Sequence, residues 1–217
     1  MIYDLSNLPT TIPIFPLTGA LVLPRARLPL NIFEPRYLQM IDDALKTDHR
    51  LIGMIQTREA PTDIGDPPLH NIGCAGRITS FTETDDGRYL ISIKGITRYK
   101  ILNSDTGFTP YVKADVDWGE FERDLGAEET DDGFERNAFL HLLEIYFEAK
   151  DLQTDWNSLK DASEEMLVNS LSMMCPFSPE ERQALLEAPT LKIRRETVAT
   201  LMEFGLRSSS ENEGKVQ

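Results

Sequence analysis

Apolar residues recur at every second position, or in short runs, through the first half of the chain, and at every third and fourth position through the second. The runs "TIPIF" (11–15) and "LPLNIF" (28–33) are broken by prolines, which suits edge strands or strand ends because proline offers no N–H to a ladder. "RLIGMIQ" (50–56) has the continuous apolar character of a buried strand. In "GRITSFTETDDGRYLISIKG", Ile78, Ser80 and Thr82 alternate with Thr79, Phe81 and Glu83. Asp86-Gly87 then supplies the turn of a hairpin before Tyr89, Ile91 and Ile93. "TRYKIL" and "PYVKADVDW" continue the meander. One helix interrupts it, from Pro35 to Lys46, with Tyr37, Leu38, Ile41 and Leu45 on one face and Asp42, Asp43 and Lys46 on the other.

Near Trp118 the texture changes. "GEFERDLGAEETDDG" is acidic, glycine-punctuated and poor in apolar residues, which predicts a solvated linker. Helical spacing follows: Phe139, Leu142, Leu143, Tyr146 and Phe147 in one segment, then Met166, Leu167, Ser170, Leu171 and Met174 in the next. "FSPEERQALLEAP" is the sharpest local signal, with Ser178 as N-cap, Pro179 at the first helical position and Glu181 completing a capping box. Pro189 ends that helix and Thr190 caps a last one through Ile193, Val198, Leu201 and Met202 to a stop at Gly205. The expected organisation is a β-rich lobe over 1–118, an acidic linker over 119–133, a helical lobe over 134–205 and a disordered tail over 206–217.

At 217 residues the chain can bury roughly 70% of its unfolded surface, so folding requires neither metal nor disulfide. No apolar run approaches the roughly 20 residues that cross a bilayer, and the N-terminus lacks the basic and apolar regions of a secretory signal. The two cysteines, Cys74 and Cys175, form no CxxC pair and read as reduced, buried thiols. These features favour the cytoplasm and no membrane partner. Net charge is −14, of which residues 1–118 carry −2 and residues 119–217 carry −12. Such a surface repels phosphate backbones, so nucleic acid is a disfavoured partner.

Catalytic and metal motifs are sparse. There is no GxxxxGK[ST] and no GxSxG, and His49, His70 and His141 are scattered. His141 and Glu144 make a single HxxE spacing, short of the two that a di-metal bundle needs. "EETDD" lacks the register of an EF-hand loop. No catalytic residue, metal or cofactor is therefore expected. Within "LVLPRARLPLNIFEPRY", Arg25 and Arg27 have two readings: the rim of a peptide-binding loop, or charges that solubilise a connection between strands. Pro35 forces Glu34 out of the helical region and fits the first turn itself, which places Glu34 beside the positive end of the helix dipole. Glu34 and Arg36 are thus expected to fix a strand-to-helix corner, with Tyr37 opening the buried face.

Three ordered blocks carry a family resemblance. "IPIFPLTGALVLPRARLPLNIFEPRYLQMIDDAL" (12–45), with its "FPL", "LP…LPL" and Phe33-Glu34-Pro35-Arg36-Tyr37, resembles the opening of the LON domain, the N-terminal substrate-recognition region of Lon-type ATP-dependent proteases. "IGCAGRITSFTETDDGRYLISIKGITRYKI" (72–101) resembles the family's next segment, and "LVNSLSMMCPFSPEERQALLEAPTLKIRRETVATLMEF" (167–204) its helical end. The resemblance implies an α+β fold: a PUA-like β pseudo-barrel lobe with one inserted helix, followed by a C-terminal helical bundle. One departure is "PRAR", where the family often has glycine after the proline; a turn of positive φ would strain Ala26.

By resemblance, the expected function is non-enzymatic binding of protein or peptide, recognising unfolded polypeptide or acting as an adapter in protein quality control. The partners implied are a polypeptide substrate and a separately encoded protease or chaperone. The ATPase module and the Ser-Lys protease domain of the family's proteases are not expected, so a peptidase role would follow from the family name alone. The candidate peptide contacts are Leu21, Leu23, Arg25 and Arg27, from their place in an apolar, proline-kinked loop. An RNA-binding PUA-like module is the alternative.

Overall fold

The computed structural model describes residues 3–58, 68–105 and 107–213, the last six as backbone alone. Contacts divide the chain into two units, Met1–Ala127 and Glu128–Gln217. In the first unit the alternating segments become β1 (Thr11–Pro16), β2 (Arg27–Ile32), β3 (Leu51–Ile55), β4 (Ile72–Glu83), β5 (Tyr89–Asp105) and β6 (Lys113–Asp117). They pair in the order β2-β5-β4-β3-β1-β6, and β6 also pairs with β5. Five strands therefore close on themselves, and β2 remains as an added edge strand. The 17-residue length of β5 makes this closure work, because its first half pairs with β2 and its second half with β6. The result is the α+β architecture anticipated above.

Both proline-broken runs are strands, but only β2 is an edge. β1 lies between two neighbours, antiparallel to β6 through Thr11–Pro13 and parallel to β3 through Ile14–Pro16. Pro13 and Pro16 each stand at the end of one of these short ladders, where a missing N–H costs least.

Ile12, Ile14, Leu51, Ile55, Val116 and Trp118 fill the closed sheet around Tyr99, which has no exposed surface. The Tyr99 hydroxyl donates to the Met54 carbonyl at 3.1 Å. Glycine makes room for that ring: a Cβ on Gly73 would stand 2.4 Å from both the Tyr99 hydroxyl and the Met54 oxygen.

The stretch expected as a solvated linker is solvated only in part. Gly119–Leu125 forms a 3-10 turn in which Phe121 and Asp124 are buried. Asp124 Oδ2 accepts from the backbone N–H and Nε of Arg98 at 2.9 Å each, and Oδ1 accepts from Nη2 at 2.8 Å. The two side chains are 3% and 2% exposed, so each charge depends on the other for its place in the interior.

Helix α1 (Pro35–Leu45) begins at Pro35 as expected. Its buried face is Tyr37, Met40, Ile41 and Ala44, while Leu38 and Leu45 are only half-buried. Tyr37 packs edge-on against Phe15, with ring centroids 4.5 Å apart.

The second unit is helical: α2 (Arg136–Ala149), α3 (Trp156–Asp161), α4 (Glu164–Met174), α5 (Pro179–Glu187) and α6 (Leu191–Glu213). The capping box forms, with Glu181 N–H donating to Ser178 Oγ at 3.2 Å and Ser178 N–H to Glu181 Oε2 at 2.7 Å. Two expectations need correction. Helix α4 buries Leu167, Val168 and Leu171, while Met166 and Met174 are 57% and 60% exposed, because apolar residues occupy both of its faces and packing selects one. Helix α6 does not stop at Gly205 but continues to Glu213, so 206–213 is helical backbone where a disordered tail is expected; 214–217 lie outside the described residues. A Cβ on Gly205 would stand 3.0 Å from the Tyr146 ring, so this glycine serves close helix packing. In the remainder of the expected linker, Asp131 is buried and its Oδ2 accepts from Arg195 Nε at 2.7 Å.

Candidate polypeptide-binding surface

The residues picked from the loop before β2 part ways in the structure. Leu21 and Leu23 are 3% and 0% exposed and belong to the core, so their side chains present nothing to a ligand in this conformation. The loop is pressed onto β5: a Cβ on Gly95 would stand 2.0 Å from the Leu23 carbonyl oxygen. Arg25, rather than Ala26, takes the left-handed conformation, with φ 67°. It is held there by its N–H donating to the Gly95 carbonyl at 2.8 Å and by a guanidinium bond to the Asp124 carbonyl. Arg27 is exposed at the first position of β2.

Phe33, Glu34, Pro35, Arg36 and Tyr37 form the corner. Arg36 Nε donates to Glu34 Oε2 at 3.0 Å, both side chains being 41–45% exposed, and the guanidinium lies 4.6 Å from the Tyr37 ring centre. Glu34 makes no side-chain cap bond, so its part in the corner is the pair with Arg36. Phe33, 62% exposed, projects from the end of β2.

The three strands β2, β5 and β4 form a sheet with two distinct faces. On one face, register aligns Leu30 with Ile91 and Phe81, and Ile32 with Tyr89. Phe81 is 40% exposed and stacks edge-on with Tyr89 at 4.7 Å. On the other face, Arg27, Lys94 and Arg77 stand opposite one another, followed by Pro29, Ser92 and Ser80, then Asn31, Leu90 and Thr82. Leu90 is 47% exposed. Beside the cationic row lies a cavity of about 330 Å³ bounded by Arg25, Arg77, Lys94, Ile96 and Leu125. Sequence reading did not single out Arg77 or Lys94. Their only signal is that they occupy the exposed phase of strands whose buried phase is Ile78 and Ile93.

Burial pushes the Cys175 thiol up to about 12, with the Arg182 charge opposing, and Cys74 is also buried. Burial and then a hydrogen bond to Asp43 raise Tyr111 to about 12. His141 and Glu144 are a solvated pair 3.9 Å apart. Among the described residues no three His, Cys, Asp or Glu side chains are grouped to hold a metal ion, and no helix is long and apolar enough to cross a membrane.

Solved structures share this fold. The Lon N-terminal domain protein of Xanthomonas campestris superposes with TM-score 0.61 at 23% identity, covering 88% of this chain and 98% of that one. The N-terminal domain of the Mycobacterium avium complex Lon protease gives TM-score 0.64 at 14% identity, covering 89% and 98%. At these identities the likeness is one of fold. Among curated sequences, the Lon protease of Anaeromyxobacter dehalogenans is 25% identical over 206 residues, which is 90% of this chain and 23% of the relative. Lon protease 2 of Myxococcus xanthus is 26% identical over 207 residues, 90% of this chain and 24% of the relative. The chain thus spans about a quarter of the length of the curated relatives it matches. The profile of the ATP-dependent protease La (LON) substrate-binding domain matches residues 11–203, and the chain belongs to that family.

Proposed function

We propose that this chain is a non-enzymatic binding domain for polypeptide, engaging unfolded or exposed apolar segments. The observation that carries the reading is the family match over residues 11–203 to a substrate-binding domain. The β2-β5-β4 sheet supplies the physical means. Phe33, Phe81 and Leu90 expose apolar surface, and among the described residues β2 has one unpaired edge. Such an edge accepts an added strand, although Pro29 limits how far a peptide can pair along it. In this reading the chain acts in the cytoplasm as an adapter that delivers its ligand to a separately encoded protease or chaperone. In this reading it performs no hydrolysis itself, and its sequence contains no GxxxxGK[ST] loop.

The test is a binding titration with a reduced and alkylated, permanently unfolded protein against the same protein folded. Selective binding of the unfolded form, weakened several-fold by the triple change Phe33→Ser, Phe81→Ser and Leu90→Ser, supports the proposal. Equal binding of both forms, or none, rejects it.

A further inference from the structure

Arg27, Lys94 and Arg77 sit opposite one another on three adjacent strands, and like charges in directly opposed positions destabilise a sheet. Among the described residues, no carboxylate forms a salt bridge with any of the three. Among the described residues, the one acid bounding the adjoining cavity is Asp124, which is committed to Arg98. A chain of net charge −14 therefore keeps a local excess of positive charge beside a cavity of about 330 Å³.

We propose that this row and cavity hold a carboxylate of an acidic polypeptide segment, with Lys94 and Arg77 as its direct partners and Arg27 at the rim. The inference rests on the polypeptide-binding reading above and adds the chemistry of the ligand. Three strands span only about 10 Å, room for one or two anionic groups rather than a phosphate track. At a Debye length of about 8 Å the attraction of the row fades just beyond those groups, so an extended polyanion gains little from its remaining charges. Ile96 and Leu125 border the cations, so the cavity suits an anion delivered together with apolar side chains, as in a peptide. Arginine and lysine also make the stronger, charge-assisted hydrogen bonds with a carboxylate.

The test uses two dye-labelled peptides of one apolar pattern, one bearing glutamates and the other glutamines at the same positions, titrated against the full chain. The glutamate peptide is expected to bind about tenfold tighter at low salt, and the gap to shrink several-fold at about 200 mM NaCl. Lys94→Gln weakens the glutamate peptide several-fold and leaves the glutamine peptide unchanged. Its melting temperature stays level or rises, because a like-charge contact is relieved. Arg77→Gln has the same binding effect. Arg77 also lines the cavity beside Tyr3, so the double change Arg27→Gln and Lys94→Gln, confined to exposed residues, repeats the test if that variant unfolds. Equal affinity for the two peptides overturns the assignment while leaving polypeptide binding intact. Failure of both peptides to bind counts against both proposals. Tighter binding of a single-stranded RNA oligomer through the same residues also overturns the assignment, in favour of phosphate.

Discussion

Asp124 shows how much one buried side chain can govern. It accepts three hydrogen bonds from Arg98, and its own backbone carbonyl receives the Arg25 guanidinium, which ties the turn after β6 to β5 and to the loop before β2. Asp124→Asn leaves a buried guanidinium without its counter-charge and is expected to cost about 3–5 kcal/mol in a urea melt. Replacing both partners with apolar residues of similar volume is expected to recover much of that loss. Cys175 supports a second residue-scale prediction. Its thiol is raised from 9.0 to about 12 by burial, with Arg182 opposing, so the folded state favours the protonated form. That contribution to stability is fully present below the unfolded value near 9 and is lost as pH rises toward 12. A thiol reagent at neutral pH should label Cys175 slowly in the native protein and at once in denaturant. Neither role is legible locally: Asp124 stands in a run of acidic residues, and only Arg98, 26 positions away, sets it apart.

At the scale of elements, the predictions concern corners and caps. The Glu34–Arg36 pair is close to half exposed, so Glu34→Ala should lower stability by less than about 1 kcal/mol, measured by thermal melting. The proline and the packing of Tyr37 hold the rest of that corner. Ser178→Ala removes a satisfied capping box and should cost about 1 kcal/mol, with loss of helicity in α5. Gly205→Val should destabilise the helical unit more than an ordinary mid-helix change, because the added side chain meets the Tyr146 ring. Elements of this kind were largely legible. The hairpin turn at Asp86-Gly87, the helix start at Pro35 and the capping box depend on residues a few positions apart. The choice of helix face was less so. In α4, Met166 and Met174 fit the helical period as well as Val168 does, and the neighbouring helices decide between them.

For the whole molecule the governing quantity is charge. A net charge of −14 repels itself in the folded state more than in the expanded one, so the melting temperature should rise between about 10 and 200 mM NaCl. The same salt should weaken an acidic ligand, a change of opposite sign that separates the bulk field from the cationic row. By itself the sequence determined most of the strands and helices and their order, the capping box and the Asp86-Gly87 turn, the acidic balance and the family, because these reside in neighbouring residues or in ordered motifs. Only the tertiary structure decided that β1 is interior, that Leu21 and Leu23 are core, and that Arg27, Lys94 and Arg77 share one row. Strand partners and register join residues tens of positions apart, and a shift of one residue would carry each of those side chains to the other face.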